Sequence, residues 1–228
     1  MFDNIAPTYD GLNHILSLNI DRLWRRRVVG IVRRTGAKRI MDMATGTGDL
    51  AIAMAKRIPG SHILGVDLSE KMLNVAREKI HRQGLDERIV LQQGDAERLD
   101  VVAEGSVDAV TVAFGVRNFD DLAGGLQQLC RTIRPGGWFV VLEFSMPRNR
   151  AIRWFYAQYS HRLLPQIGGL ISKDKRAYVY LPESVDEFPV PERFCDMLRE
   201  AGFCDVSRRS LSCGIAHIYV ARRAPLTE

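Results

Sequence analysis

The sequence of 228 residues contains no apolar run close to the length of about 20 residues that a membrane-spanning helix needs. Its opening stretch, MFDNIAPTYD, is acidic and polar, so no secretory signal is expected. Only four cysteines occur, and no two have the CxxC spacing of zinc or thioredoxin-like sites. These absences predict a cytoplasmic protein with reduced thiols at Cys130, Cys195, Cys204 and Cys213.

Positive charge is concentrated near the start of the chain. The net charge is +5, and much of the excess lies in DRLWRRRVVGIVRR. A helix is predicted there, with Asp21 as its N-cap and with Arg22, Arg26 and Arg33 on one face. That face could contact anionic lipid or nucleic acid, or it could simply be solvated.

Short apolar strands alternate with amphipathic helices along the middle of the chain. Strands are predicted in KRIMDMA, SHILGVDL, RIVLQQGD, VDAVTVAFG and WFVVLEF. Three helices are predicted: one over residues 49–57, one capped by Ser69, and one that begins after Asp120 or Asp121. The third helix is predicted to have Ile133 on its apolar side and to end at RPGG. This alternation predicts a parallel sheet with helices on both faces.

The two ends of the chain depart from this alternation. Residues 1–36 are predicted to be helical, and residues 146–190, rich in Arg, Leu and aromatic residues, are predicted to be an inserted lid facing the substrate. At the C-terminus, CDVSRRSLS and GIAHIYVARR flank a turn and predict an antiparallel hairpin. The predicted fold is therefore α/β, a doubly wound, mostly parallel seven-stranded sheet in a single domain, 1–228.

The turn after the first strand, ATGTGDLA, predicts a nucleotide-like cofactor. In doubly wound sheets this turn faces the ligand crevice, and Gly46 and Gly48 allow the backbone to approach a ligand closely. Asp67 follows Gly46 by 21 residues at the end of the second strand, where an acid binds ribose hydroxyls. A nicotinamide cofactor fits these residues as well.

Two further acids favour S-adenosylmethionine (SAM) over a dinucleotide. Asp49 directly follows the second glycine, where it would repel a pyrophosphate but suit an ammonium group, although an acid at a helix start is also favoured by the helix dipole. Asp95 ends the third strand, where it is placed to bind an adenine amino group or to form a turn. The predicted terminal hairpin also favours SAM over a dinucleotide.

Several segments resemble the ring C-methyltransferases of menaquinone and ubiquinone biosynthesis, which are Rossmann-like class I SAM-dependent enzymes. The resemblance runs from residue 2 to about residue 222 and is carried by FDNIAPTYDGLNHILS, ATGTGDLA, GVDLSEKML, VAFGVRNFDD, RPGGWFVVLEFS, YLPESV and AGFCDV. FDNIAPTYD, FGVRN and YLPES are the most specific of these. Two departures are Ala113, where many members have Ser, and ESV in place of ESI.

The resemblance implies a demethylmenaquinol-type substrate with an isoprenoid tail. A ring carbon beside a deprotonated hydroxyl would attack the SAM methyl, and no metal is required. The implied cofactor-binding residues are Gly46, Thr47, Gly48, Asp67, Asp95, Ala96, Ala113 and, from the N-terminal segment, Tyr9. Because the family handles both rings, a benzoquinol of ubiquinone biosynthesis remains an alternative, and a homodimer is a further expectation.

Three residues are candidates for the chemistry. Arg117 could hold a phenolate or orient the water that takes its proton, or it could pair with Asp120 or Asp121. Asn118 could donate to a quinol oxygen or cap the following helix. His217 has the right pKa for a base, but a lone His in an apolar strand is more often a core residue.

Two functions from other classes are less well supported. A nucleic-acid methyltransferase would be expected to show D/N-P-P-Y/F after the fourth strand or a Cys after Pro, and this chain has AFGVRN and no Pro-Cys pair. A SAM-binding module without activity is the second of these alternatives. Because a tailed quinol partitions into the bilayer, peripheral contact with the inner face of the membrane is expected, through residues 21–34 or the aromatic- and Arg-rich segment that begins at 151.

Overall fold

The computed structural model describes residues 19–158 and 183–225. The helices are α1 (Ile20–Thr35), α2 (Asp49–Arg57), α3 (Glu70–Arg82), α4 (Leu122–Thr132), α5 (Arg150–Gln158) and α6 (Pro191–Glu200). The strands are β1 (Arg39–Met43), β2 (His62–Asp67), β3 (Ile89–Gln93), β4 (Val107–Ala113), β5 (Ile133–Phe144), β6 (Phe203–Leu211) and β7 (Ala216–Arg223).

The strands form one seven-stranded sheet in the order β3-β2-β1-β4-β5-β7-β6. The first five strands pair in parallel, and β7 is antiparallel to both β5 and β6. The predicted doubly wound sheet with a terminal antiparallel hairpin is thus confirmed. Because the strand order reverses between β1 and β4, a crevice is expected beyond the carboxyl ends of these two strands.

Apolar side chains pack on both faces of the sheet. One cluster includes Trp24 and Val28 of α1 and Met54 of α2. The other includes Leu126 of α4 and Phe194 of α6. Each such side chain contributes roughly 1.5–3 kcal/mol by leaving water, so both layers of helices hold the sheet in place.

Side-chain caps set the start of two helices that follow strands at the cofactor edge. The Ser69 hydroxyl accepts a hydrogen bond from the Met72 N–H at 3.2 Å, and the Asp121 carboxylate accepts one from the Gly124 N–H at 2.9 Å. These bonds satisfy N–H groups that have no partner within the helix. They confirm the Ser69 cap and select Asp121 over Asp120 as the cap of α4.

Two predicted boundaries are wrong. Asn19, with φ 59°, is at the N-cap of α1, whereas Asp21 lies in the first turn and is paired with Arg25, one helical turn onward. Ile133 belongs to β5 rather than to α4, and the RPGG stretch continues that strand. Glycines at 136 and 137 allow this irregular passage, which coincides with a register shift between β4 and β5.

The ends of β1 and β4 approach each other closely at the edge that carries the crevice. Ala44 follows β1 with φ 53°, and a Cβ placed on Gly115 would lie 2.5 Å from the Ala44 Cβ and 3.1 Å from Cγ1 of Val112. No side chain can occupy position 115 unless one of the two turns moves. Glycine at this position therefore sets the spacing of the two turns.

We expect Gly115→Ala to lower the free energy of unfolding by about 1–3 kcal/mol, because the added methyl overfills a packed contact. The matched control is Gly30→Ala in the interior of α1, where an added Cβ meets nothing within 4 Å. That change should be neutral or stabilising by up to about 1 kcal/mol. Urea unfolding monitored by circular dichroism measures both, and equal stability of the two variants would contradict the proposed close contact.

Candidate functional site

A cavity lies beyond the carboxyl ends of β1, β2 and β4, where the strand order predicts it. Five of the predicted cofactor residues line it, Gly46, Asp67, Asp95, Ala96 and Ala113, together with Asn118. Its other lining residues are Met43, Ala44, Leu68, Met72, Glu97, Phe114, Gly115, Phe119 and Asp120. The topology has brought together residues that are far apart in the sequence.

The two glycines of the first turn have different surroundings. Both have positive φ, 57° at Gly46 and 81° at Gly48. A Cβ on Gly46 would meet none of the described residues within 4 Å, so the loop presents bare backbone to the cavity. A Cβ on Gly48 would lie 3.3 Å from the Ala76 Cβ, which shows that Gly48 lets α2 and α3 pack closely.

Thr47, between these glycines, is buried, and its hydroxyl accepts a hydrogen bond from the Lys79 ammonium at 3.3 Å. Neither Thr47 nor Gly48 is among the residues that line the cavity. Their predicted contact with the cofactor stays a prediction.

The Asp67 carboxylate is held against the glycine loop. One oxygen accepts from the Gly46 N–H at 2.7 Å and the other from the Ser69 N–H at 2.9 Å. A carboxylate offers about four lone-pair positions, so these bonds are compatible with further bonds from two ribose hydroxyls. The geometry thus fits the predicted role of Asp67.

Asp95 takes one of the two roles that the sequence left open, and its other role, toward an adenine amino group, stays a prediction. Its carboxylate accepts from the Glu97 N–H at 2.9 Å, which forms the predicted turn. It also lines the cavity beside the buried Ala96. A turn that fixes the carboxylate is a suitable support for binding an amino group.

Asp42, which directly precedes Met43 and Ala44 of the cavity wall, is a buried acid that the sequence analysis missed. It is fully buried in β1, and its two oxygens accept from the hydroxyls of Thr45 at 2.7 Å and Thr111 at 2.6 Å. Burial raises the pKa of Asp42 to about 6, against the opposing effect of those two hydrogen bonds. The available signal was an acid inside an otherwise apolar strand just before the glycine turn.

Arg117 forms a buried ion pair, but not with the acids that the sequence suggested. Its guanidinium donates to Glu143 of β5 at 2.7 Å, and the two side chains are 5% and 0% exposed. The predicted alternative pairing with Asp120 or Asp121 is wrong, because β5 passes directly beside the turn that carries Arg117 and Asp121 caps α4. No local pattern in the sequence identifies Glu143 as the partner.

Two of the most specific sequence motifs meet at this arginine. The Arg117 guanidinium also donates to the Phe114 carbonyl at 2.6 Å and to the Ser184 hydroxyl at 3.2 Å. Ser184 belongs to YLPES, which lies about 65 residues further along the chain than FGVRN. The buried pair therefore connects the edge of the cavity to the far end of the predicted lid.

Asn118 lies on the cavity wall, next to Arg117 in a short 3-10 turn. Its backbone N–H donates to the Gly115 carbonyl at 3.0 Å. Because Asp121 caps α4, the alternative role of Asn118 as that cap is wrong. The prediction that Asn118 donates a hydrogen bond to a substrate oxygen therefore stays to be tested.

His217 lies in a second cavity, of about 330 Å³, between the ends of β5, β6 and β7. It is buried, and its Nδ1 has no hydrogen-bond partner among the residues that the structure describes. Burial, and after it the charge of the nearby Arg208, lowers the pKa of His217, which favours the neutral ring. Neutrality suits a base, but the structure does not place His217 with Asp67 and Asn118, and its catalytic role stays a prediction.

Some predicted residues lie outside the described part of the chain. Tyr9, an implied cofactor-binding residue, is among them, as are residues 159–182 of the predicted lid.

Comparisons with known proteins identify the family. The model of the "ubiE/COQ5 methyltransferase family" matches residues 1–223. The chain belongs to this family. It is therefore a SAM-dependent methyltransferase, as the resemblance implied.

Curated relatives of this methyltransferase match it along nearly its whole length. A demethylmenaquinone methyltransferase of Thermus thermophilus is 46% identical over 223 residues, which cover 98% of this chain and 100% of the relative. One from Bacteroides fragilis is 43% identical over 223 residues, 98% of this chain and 91% of the relative. A ubiquinone/menaquinone biosynthesis C-methyltransferase UbiE of Geobacter sulfurreducens is 43% identical over 224 residues, 98% and 87% of the two chains.

Solved structures support the fold. A SAM-dependent methyltransferase from Aquifex aeolicus superposes with a TM-score of 0.58 at 17% identity, covering 86% of this chain and 88% of that one. An O-methyltransferase family protein from Burkholderia thailandensis superposes with a TM-score of 0.69 at 17% identity, covering 92% and 58%. At these identities the likeness establishes the architecture alone.

Asp67→Ala should weaken SAM binding by roughly 1–3 kcal/mol, because it removes a fixed acceptor for ribose hydroxyls. Isothermal titration calorimetry measures the effect, with Asp86→Ala in the exposed turn before β3 as the control. The wild-type enzyme should bind SAM and not NAD. SAM affinity that is unchanged in Asp67→Ala would remove Asp67 from the cofactor site.

Proposed function

We propose that this methyltransferase transfers the SAM methyl group to a ring carbon of demethylmenaquinol, giving menaquinol and S-adenosylhomocysteine. The observation that carries the proposal is the match, at 43–46% identity and along nearly the full length, to relatives named demethylmenaquinone methyltransferase. The equivalent methylation of a benzoquinol is the second candidate, because other relatives at similar identity are named for both quinones.

The proposed reaction needs a nucleophilic ring carbon and an aligned methyl group. Loss of the neighbouring hydroxyl proton makes the carbon nucleophilic, and SAM supplies an electrophilic methyl when bound. The protein contributes positioning and stabilisation of the developing phenolate. Asn118 supports this role because it lies on the wall of the cavity that Asp67 and Gly46 also line.

Arg117 is proposed to stabilise the phenolate or to orient the water that accepts the proton. Arg117 directly precedes Asn118 in the sequence. Its guanidinium is held by hydrogen bonds to Glu143, to the Phe114 carbonyl and to the Ser184 hydroxyl. Because Glu143 balances its charge, Arg117 would act through oriented N–H groups rather than as an uncompensated cation. A guanidinium does not lose its proton in proteins, so Arg117 has no free lone pair with which to act as the base itself.

Product analysis tests the reaction directly. The enzyme is incubated with methyl-labelled SAM and with reduced demethylmenaquinone or the corresponding benzoquinol, each carrying an isoprenoid tail. We expect label on the naphthoquinol ring. Label only on the benzoquinol would select the second candidate, and SAM binding without transfer to either ring would indicate a binding module instead.

The Arg117 proposal is tested with the double variant Arg117→Gln/Glu143→Gln. Removing both charges avoids a lone buried carboxylate, which by itself would cost about 3–5 kcal/mol. We expect SAM affinity within about twofold of wild type and a turnover lower by about 100-fold or more, in the range of lost transition-state hydrogen bonds. Near-normal turnover of the double variant would show that Arg117 has only a structural role. In a separate variant, His217→Asn, a large loss of turnover with an intact fold would favour His217 as the base.

We also propose that this cytoplasmic enzyme contacts the inner face of the membrane. Among the described residues, no helix is both long and apolar enough to cross a bilayer. Arg22, Arg26 and Arg33 are all exposed on α1, and Trp154 of α5 is 59% exposed. Three exposed arginines near anionic lipid contribute about 3 kcal/mol together, enough for weak and reversible attachment.

Liposome co-sedimentation measures this contact. Binding should require anionic lipid, fall as salt is added, and weaken in the triple variant Arg22→Gln/Arg26→Gln/Arg33→Gln. A control triple at the exposed Arg57, Arg82 and Arg199 removes the same charge elsewhere. Equal binding of both triple variants, or no difference between neutral and anionic vesicles, would reject the proposed surface.

A further inference from the structure

The second cavity, which holds His217, is separate from the cofactor cavity, because the two share no lining residue. Its walls come from the segment that follows β5, from the start of α6 and from the β6–β7 hairpin. Its volume of about 330 Å³ exceeds several times the space of about 30 Å³ that one water molecule takes in the liquid. A small polar group therefore fits inside.

Two arginines give the second cavity a positive charge. Arg148, after β5, and Arg208, on β6, both line it. Each is paired through its Nη2 with the same oxygen of Glu192 in the first turn of α6. Two cations against one carboxylate leave an excess of one positive charge. Because a guanidinium carries five N–H donors and these pairs use one nitrogen of each, both side chains are able to hold a further anion.

Two helices begin at the second cavity and add to its positive potential. Asn149, a lining residue, directly precedes the nine-residue α5, and its side chain accepts from the N–H groups of Ala151 at 3.0 Å and Ile152 at 3.2 Å. Pro191, also a lining residue, is the first residue of the ten-residue α6, and the preceding Val190 makes no side-chain cap hydrogen bond. Helix N-termini carry partial positive charge and attract anions.

A buried side chain in the second cavity has no partner of its own. His217 is only 8% exposed, and neither ring nitrogen makes a hydrogen bond to any described residue. Nδ1 is sealed from water, which leaves Nε2 as the ring nitrogen that a ligand can meet. The Ser210 hydroxyl lies on the facing strand, directly opposite His217 in the β6–β7 ladder. Because buried polar side chains are normally hydrogen-bonded, His217 points to a ligand in this cavity.

We infer that the second cavity binds the phosphate group of an anionic phospholipid headgroup. Arg148 and Arg208 would hold the phosphate oxygens, since the guanidinium fork matches the geometry of phosphate. Ser210 and His217 would add neutral donors from the hairpin. A phosphodiester carries one negative charge, which equals the excess that Glu192 leaves on the two arginines.

The surroundings of the second cavity favour a lipid as the source of the phosphate. Trp154 of α5 is 59% exposed, and Val190, just before α6, is 64% exposed. The two helices that begin at the cavity thus carry exposed apolar side chains beside its arginines. Apolar and aromatic side chains next to cations are typical of surfaces that enter the membrane interface.

The inference goes beyond methyl transfer and does not depend on which quinol is methylated. It adds a headgroup site to the proposed membrane contact, at residues other than the arginines of α1. Because a soluble phosphate ester tests the site without any vesicle, the site and the α1 surface can fail independently.

The first experiment titrates the full chain with sn-glycerol 3-phosphate and follows the histidine ring signals by ¹H–¹⁵N NMR. The His217 signals are assigned by their loss in His217→Asn. We expect them to shift and saturate. In Arg148→Gln/Arg208→Gln the dissociation constant should rise by about 10-fold or more, because hydrogen bonds to a charged group are lost. Glu192 is 45% exposed, so this variant leaves no buried charge alone.

The matched control is Arg193→Gln/Arg199→Gln, which removes the same charge from α6. Both arginines are more than half exposed, and each is paired with a carboxylate of the same helix. Its affinity for sn-glycerol 3-phosphate should stay within about twofold of wild type, as is usual for exposed pairs. Equal affinities of the two double variants, or no shift of the His217 signals, would overturn the inference.

The second experiment identifies the source of the phosphate. Co-sedimentation compares both double variants on phosphatidylcholine vesicles with and without phosphatidylglycerol. We expect Arg148→Gln/Arg208→Gln to bind the phosphatidylglycerol vesicles about 10-fold more weakly than the control variant, because only the former loses bonds to the headgroup. Equal vesicle binding of the two variants would overturn the lipid headgroup as the ligand, and a selective loss of sn-glycerol 3-phosphate binding would then assign the cavity to a soluble phosphate ester.

Discussion

The buried ion pair between Arg117 and Glu143 joins the three parts of the chain on which the candidate site depends. Arg117 comes from the turn after β4, Glu143 from the middle of the sheet, and Ser184 from the far end of the predicted lid. Desolvating two charges costs several kcal/mol per ion, and only good geometry with extra hydrogen bonds offsets that cost. Here the Phe144 N–H at 2.8 Å and the Phe114 carbonyl supply such bonds. The turn that carries Asn118 is therefore tied to both β5 and the 183–187 helical stretch.

The parallel sheet explains why acids gather at one edge. Asp67 lies at the end of β2, Asp95 just after β3, and Asp42 in β1 one turn before the glycines. Each carboxylate is satisfied locally, Asp67 and Asp95 by backbone N–H groups and Asp42 by hydroxyls. The bonds at Asp67 and Asp95 keep these two carboxylates in fixed positions on the cavity wall, so a ligand with hydroxyl and amino groups would find acceptors that are already oriented.

The sequence predicted those features whose signal is local. The glycine turn, the Ser69 cap and the spacing from Gly46 to Asp67 all follow from residues close together or from the regular β/α alternation. The doubly wound, mostly parallel sheet with its terminal hairpin followed from that alternation together with the family resemblance. What the sequence did not predict are pairings across the fold, above all Glu143 as the partner of Arg117. A charged residue within an apolar strand indicates that an oppositely charged or hydrogen-bonding partner is required. Which residue is the partner depends on the turn that the sheet places beside that strand.

The same limit applies to α1, which the sequence presents as one basic helix. In the structure its arginines divide into exposed ones, suited to a membrane surface, and Arg25, which is held by Asp21 and directed toward the glycine loop. The division follows from Trp24, because burying its ring rotates the helix so that the next residue faces the loop rather than solvent. One helix therefore supplies both an outer basic face and an inner cation. The carboxylates of Asp67 and Asp95 on the cavity wall can accept hydrogen bonds from hydroxyl and amino groups, and SAM, the cofactor of this family, carries both kinds of group.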